Sequence, residues 1–354
     1  MTVQMVKIYF DPTLPIPQKR TYYADLTRLF WHSDGRVEQE RQFGETILKR
    51  VETLEDADVT ALPMSWNYYL ETKQLSPAQA FIALSRAAYK PCVIFAMGDY
   101  KPHTPSAGVI TFASSLYRSR LQPRTYAVPA IFEDYIQVYY GGEAPLREKS
   151  PVPVAGFCGQ GKASEITFLK LLARNLRANI INTLGIARYE APPIVPHTRL
   201  RSKVLTTIQS DSRLDTDFII HDRYWAGLTN NQSTSEQRKA AKRRFVENIV
   251  NTDYTVCVRG AANYSKRFYE ALCCGRIPIF VNTDCVLPFE NAIDWKQYCV
   301  WVEADELNQI GDKVLAFHNA LSNRAFKELQ TACRQLWLDR LTQGGFMGRF
   351  QETI

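Results

Sequence analysis

The chain has 354 residues, 45% of them hydrophobic, with a formal charge of +7. That length suits two domains better than one, and the composition excludes a disordered or low-complexity chain. The basic balance (pI near 8.9) suits a phosphate-bearing partner or an anionic membrane surface without identifying either, and no apolar run approaches the roughly 20 residues that span a bilayer.

The N-terminal ten residues lack the basic flank and long apolar core of a signal peptide, so a cytoplasmic location is expected and residues 6–10 read as a first strand. Residues 43–54 have helical spacing, and 57–62 look like a short strand. Ser76 with Pro77 predicts a helix start at 76–88. The apolar run 91–97 predicts a strand buried on both faces, and 109–112 and 125–128 are further short strands. A turn-rich stretch at 141–153 breaks the pattern and marks a domain junction. Beyond it, 154–158 predicts a strand, 164–181 a long amphipathic helix, 218–220 a strand and 235–248 a helix. Strands at 254–258, 277–281 and 298–302 follow. Asp305 is expected to cap a helix to about 321, and a last helix spans about 323–341. Strand–helix alternation is the pattern of parallel sheets covered by helices. Most of the eight cysteines sit in apolar runs without metal-ligand spacing, and Cys273 and Cys274 are adjacent on a presumed helix. They read as small buried hydrophobes in a reducing compartment.

One segment concentrates chemistry. The strand at 254–258 ends in Arg259-Gly260, and Asn263 or Ser265 can cap the helix that follows. Such a helix start favours a phosphate. Arg259 and Arg267 can add charge-assisted bonds to it, and Gly260 permits a sharp turn or close ligand approach. Glu270, three residues past Arg267, can accept from a ribose diol. On spacing alone, Arg267 and Glu270 read equally well as an exposed ion pair worth roughly a few tenths of a kcal/mol. Gly275 ends the helix.

These residues carry a resemblance. Arg259-Gly260, Ser265-Lys266-Arg267, Glu270-Ala271-Leu272, Gly275-Arg276-Ile277-Pro278-Ile279, Asp284 and Pro288-Phe289 resemble the signature of the exostosin-like glycosyltransferases, glycosyltransferase family 47, in a form similar to bacterial members. The likeness is strong over about 240–320 and weaker upstream, where Gly98-Asp99-Tyr100 stands in place of Gly-Asp-His. The resemblance implies an α/β protein of GT-B architecture, two Rossmann-like domains facing across a cleft. Residues 1–150 would form the acceptor side and 151–335 the nucleotide-sugar side, with a helix and tail at 336–354 packing back on the first domain. It also implies an inverting glycosyltransferase that needs no metal and no cofactor beyond a UDP- or GDP-linked sugar as co-substrate. The partners it implies are a glycan or lipid-linked acceptor in surface or extracellular polysaccharide synthesis and a peripheral contact with the inner membrane, without nucleic acid.

The donor residues are then Gly260, Asn263, Ser265, Arg267 and Glu270, with Arg259 as a catalytic residue that supplies fixed positive charge to the leaving diphosphate. Asp99 follows the buried strand at 91–97 and is the first candidate for the base, with His103, His32 and Asp134 as alternatives; a plain turn residue is the competing reading. His221 to Trp225 is a candidate lining of the donor pocket. Two rival readings stand beside this one: an inactive exostosin-like partner subunit, and a P-loop NTPase using Gly156 to Lys162. That loop lacks the Ser or Thr after Lys162 that would hold magnesium, since Ala163 stands there. The basic run 238–244 reads as a solvated helix face or a contact for anionic lipid.

Overall fold

The computed structural model describes residues 5–16, 47–161, 164–221 and 233–349. Two parallel sheets carry the chain. The first comprises β1 (Val6–Tyr9), β2 (Leu48–Arg50), β3 (Val59–Ala61), β4 (Cys92–Ala96), β5 (Val109–Ala113) and β6 (Thr125–Ala127), in the order β2-β1-β3-β4-β5-β6. Every residue of β4 and of β5 is buried, as the continuous apolar runs require. Helices α1 (Trp66–Glu71), α2 (Leu75–Ala87) and α3 (Tyr135–Tyr140) belong to this unit.

The second sheet comprises β7 (Val154–Gln160), β8 (Asp215–His221), β9 (Tyr254–Cys257), β10 (Ile277–Asn282) and β11 (Val300–Glu303), in the order β11-β10-β9-β7-β8. Around it lie α4 (Glu165–Thr183), α5 (His197–Gln209), α6 (Ser235–Val250), α7 (Lys266–Cys273), α8 (Ile310–Ala320) and α9 (Asn323–Leu336). Thr234 and Gln237 form a reciprocal capping box at the start of α6. Gly275 adopts φ 63°, the left-handed stop after α7. This is the α/β class that the strand–helix alternation predicts, with the two Rossmann-like units that the resemblance implies.

Four local expectations are corrected. Residues 48–50 are the edge strand β2, not helix: Leu48 pairs with Val6 in register and its side chain enters the core, so tertiary pairing overrides the local spacing. Helix α2 starts at Leu75 with Gln74 at its cap position, not Ser76. Helix α8 is preceded by a 3-10 turn at Leu307–Gln309, so Asp305 does not cap it. The closing helix breaks after Leu336 into a π turn, Trp337–Leu341, and resumes as α10 (Gln343–Arg349).

The carboxyl ends of the two sheets meet. After β5, Ser115 and Leu116 bond to Asn263 beyond β9, and Arg118 reaches Glu290 beyond β10. A second seam joins residues 101–103 to 188–190 through antiparallel backbone bonds. Within it the buried Lys101 ammonium pairs with Glu190 at 2.8 Å. Phe346 of α10 packs edge-on against Phe112 of β5, with ring centroids 5.6 Å apart. No helix among the described residues is long and apolar enough to cross a membrane.

Candidate functional site

In the second sheet β7 lies between β8 and β9, so the crossovers leave it in opposite directions. A crevice opens at such a switch point, beyond the carboxyl ends of the strands. Arg201 of α5 sits across it. Its Nη1 donates to the Gln160 carbonyl at the end of β7 (3.0 Å), and its Nη2 to the Arg259 carbonyl beyond β9 (2.9 Å).

Arg259 is only 6% exposed. Its Nη1 donates to Asn263 Oδ1 (2.9 Å), its Nη2 to the Ala261 carbonyl (3.0 Å) and its Nε to the Gly260 carbonyl (3.3 Å). The Tyr117 ring lies 5.5 Å from its guanidinium carbon. Among the described residues no carboxylate pairs with Arg259, so its charge is held by carbonyls and an amide oxygen and remains uncompensated.

Asn263 is fully buried and its side chain is saturated. Its Nδ2 donates to the Leu116 and Asp284 carbonyls, and its Oδ1 accepts from Arg259 and Thr283. It therefore orients Arg259 and ties the two units together, which corrects the expectation that it caps α7. Ser265 occupies the cap position without a side-chain bond to the first-turn amides. Gly260 is not in a left-handed conformation, and a Cβ there would make only an ordinary 3.6 Å contact with Arg201. The sharp-turn reading falls, while close ligand approach stays open to it.

Arg267 and Glu270 do not pair. Arg267 donates from Nη2 to the Cys158 carbonyl (2.7 Å), lies over the Phe157 ring (4.2 Å) and keeps a buried Nε without a hydrogen-bond partner. Gly159 makes room for it: a Cβ there would stand 2.7 Å from Nη2. Glu270 is buried against α3, where its Oε1 accepts from the Tyr135 hydroxyl (2.7 Å) and lies 3.6 Å from both Lys242 and Lys266. Burial lowers the Lys242 pKa more than Glu270 raises it. Lys242 thus leaves the solvated basic face expected for the 238–244 run and becomes part of a buried charge cluster.

Across the crevice stand residues that sequence reasoning missed. Arg174 of α4 donates to the Tyr100 hydroxyl of the first unit at 2.7 Å. His197 opens α5, and its pKa is lowered to about 4 by burial and then by Arg201, Arg259 and Arg174. A run of Pro196, a helix-forming stretch and Arg201 was the available signal: proline before a helix marks its first turn.

Asp99 is exposed in the turn beyond β4, beside Tyr100, whose ionisation is resisted by burial and felt by Arg174, Asp99 and Arg259. His103 contributes backbone bonds to the 101–103 seam while its side chain is exposed. Asp134 caps α3 and holds Arg334 through both oxygens, which removes it as a free base. His32 and residues 222–225 lie outside the described residues, and His221 ends β8. The P-loop reading is corrected in its geometry. Gly156 to Gln160 belong to strand β7, and Gly156 is bare against Thr252 rather than against a phosphate. Lys162 and Ala163 lie outside the described residues.

Residues 197–316 match the family model of the Exostosin GT47 domain. The chain is 34% identical over 94 residues to exostosin-1 of Drosophila melanogaster, covering 27% of this chain and 12% of that protein. It is 35% identical over 66 residues to a probable glucuronosyltransferase of Oryza sativa subsp. japonica, covering 19% and 16%. Against a probable glucuronosyltransferase of Physcomitrium patens it is 35% identical over 75 residues, covering 21% and 16%. The chain thus spans less than a quarter of the length of these curated relatives. The crystal structure of TarM aligns over 74% of this chain and 54% of its own, at 9% identity and a TM-score of 0.29.

Proposed function

We propose that this chain, which carries an exostosin GT47 domain over residues 197–316, is a glycosyltransferase that binds the diphosphate of a nucleotide-sugar at the β7/β9 crevice. The observation that carries the reading is Arg201 bridging the ends of those two strands beside an Arg259 that no carboxylate among the described residues neutralises. A diphosphate supplies the missing charge. The first-turn amides of α7, which Ser265 leaves uncapped, face the same strand ends and favour an anion. Arg267 of α7 supports the β7 wall of this crevice through its bond to the Cys158 carbonyl.

In this reading the acceptor hydroxyl loses its proton to a base as its oxygen attacks the anomeric carbon, and the bond to the diphosphate breaks with inversion. Arg259, Arg201 and Arg174 stabilise the charge that grows on the leaving group; fixed dipoles and charges need no reorganisation as it develops. Asp99 is the proposed base: it is exposed in the turn after β4, next to the Tyr100 that bonds Arg174. Among the described residues the Tyr135, Lys242 and Lys266 contacts of Glu270 use Oε1, so Oε2 is the atom proposed to accept from the ribose. The acceptor is a glycan or lipid-linked saccharide.

Thermal unfolding with a panel of nucleoside diphosphates tests this. Binding to the folded state alone stabilises by about 2.7 kcal/mol at a hundredfold excess over Kd. The expected result is stabilisation by one diphosphate or a related pair, lost in Arg259→Ala. No stabilisation by any diphosphate would contradict the reading.

A further inference from the structure

Helix α4 is amphipathic with its faces reversed. Its inward side is polar: Asn175, Asn179 and Asn182, at helical spacing, donate to the carbonyls of Pro193, Pro192 and Tyr189. Only Asn175 of its 19 residues is buried. Its outward side carries Ile166, Leu169, Leu176 and Ile180, continued by Leu184 and Ile186, all between 48% and 70% exposed. Soluble helices turn such a stripe to the core. Rotating α4 to do so would strip the carbonyls of residues 189–193 of their donors, so the orientation is fixed by hydrogen bonding.

The borders of this stripe are basic. Lys170 and Arg177 stand beside it on the helix, both exposed, and Arg188 and Arg199 lie exposed nearby, with Arg199 over the Phe168 ring at 5.7 Å. Glu165 is the one acidic residue from 165 to 188. A second copy of the chain docking by two-fold symmetry would bring these cations face to face, whereas an anionic headgroup layer complements them.

We propose that the outward face of α4 lies in the interfacial layer of an anionic membrane, with its apolar stripe among the acyl chains and Lys170 and Arg177 at the headgroups. This surface is distinct from the basic run of α6 and does not depend on the proposed transfer activity.

Co-sedimentation of the full chain with vesicles tests it. The chain should pellet with phosphatidylcholine vesicles containing phosphatidylglycerol and much less with phosphatidylcholine alone. Leu169→Gln/Leu176→Gln/Ile180→Gln should weaken binding more than about tenfold with its melting temperature unchanged, because these side chains are exposed. Lys239→Glu/Arg243→Glu on α6 should leave binding in place. A chain that stays in the supernatant, or a triple variant that pellets like the parent, overturns the inference. So does equal binding to both vesicle types, loss of binding through the α6 substitutions alone, or a lipid-free dimer that the triple variant dissociates.

Discussion

The Arg174 guanidinium of the second unit donates to the Tyr100 hydroxyl of the first at 2.7 Å and also lies over its ring, 5.6 Å from the centroid. Tyr100 stands where the family pattern has a histidine, and the bond ties the Asp99 turn to the arginine cluster. A charge-assisted hydrogen bond of this kind contributes about 1.5 kcal/mol. Tyr100→Phe should therefore unfold at a slightly lower urea concentration and keep its diphosphate affinity. Arg174→Ala removes a cation from the crevice and should weaken diphosphate binding roughly tenfold. Equal affinity in titration calorimetry would place Arg174 in the seam alone.

The Lys101–Glu190 pair is buried at the same seam. Removing one partner strands the other charge, so Glu190→Leu should cost about 3–5 kcal/mol. Lys101→Met/Glu190→Leu should recover most of that loss. Denaturant unfolding of the single and double variants measures the coupling, and a double variant no more stable than the single one would show that the pair is not coupled.

Glu270 holds two lysines and the Tyr135 hydroxyl on one oxygen. Glu270→Ala removes a carboxylate that lies 3.6 Å from the largely buried Lys242 and should cost on the order of 2–3 kcal/mol. The ribose role makes a separate prediction: the variant should lose affinity for a nucleoside diphosphate but not for pyrophosphate. A stability loss with unchanged nucleotide affinity would leave Glu270 as scaffolding only.

Asp99→Asn preserves the exposed turn and should retain donor binding while losing turnover by about two to four orders of magnitude. Full activity in a transfer assay would move the base elsewhere.

Parallel strands and the Arg259 to Gly275 segment were legible because they are local: buried apolar runs, small polar residues and a glycine stop lie within a few positions of one another. The second sheet therefore matched its reading closely. The edge strand β2 did not, because three residues that pair, among the described residues, with β1 alone carry no period of their own. The site was legible in part for the same reason. Arg259 stands beside Gly260 and Arg267 follows within the same short segment. Arg201, Arg174 and His197 come from helices distant in sequence, and only the strand order brings them to the crevice. The saturation of Asn263 by two units is likewise a property of their meeting, which no spacing within residues 259–270 contains.

His197 reports on the central claim directly. Its folded pKa of about 4 lies below the roughly 6.5 of an unfolded imidazole. The unfolded chain takes up a proton below about pH 6.5 and the folded chain only near 4, so this group adds stability above 6.5 that is lost as pH falls toward 4. The loss, on the order of 2 kcal/mol, should be absent from urea titrations of His197→Gln. Burial depresses the imidazole most, the arginines that add to it are the ones proposed to hold the diphosphate, and a bound diphosphate offsets their charge. The decisive measurement is the His197 ring titration by NMR with and without a nucleoside diphosphate. The account predicts a pKa near 4 in the free protein that rises by at least about one unit on binding. A saturating nucleotide that leaves the His197 titration unchanged would contradict a donor site at the β7/β9 crevice.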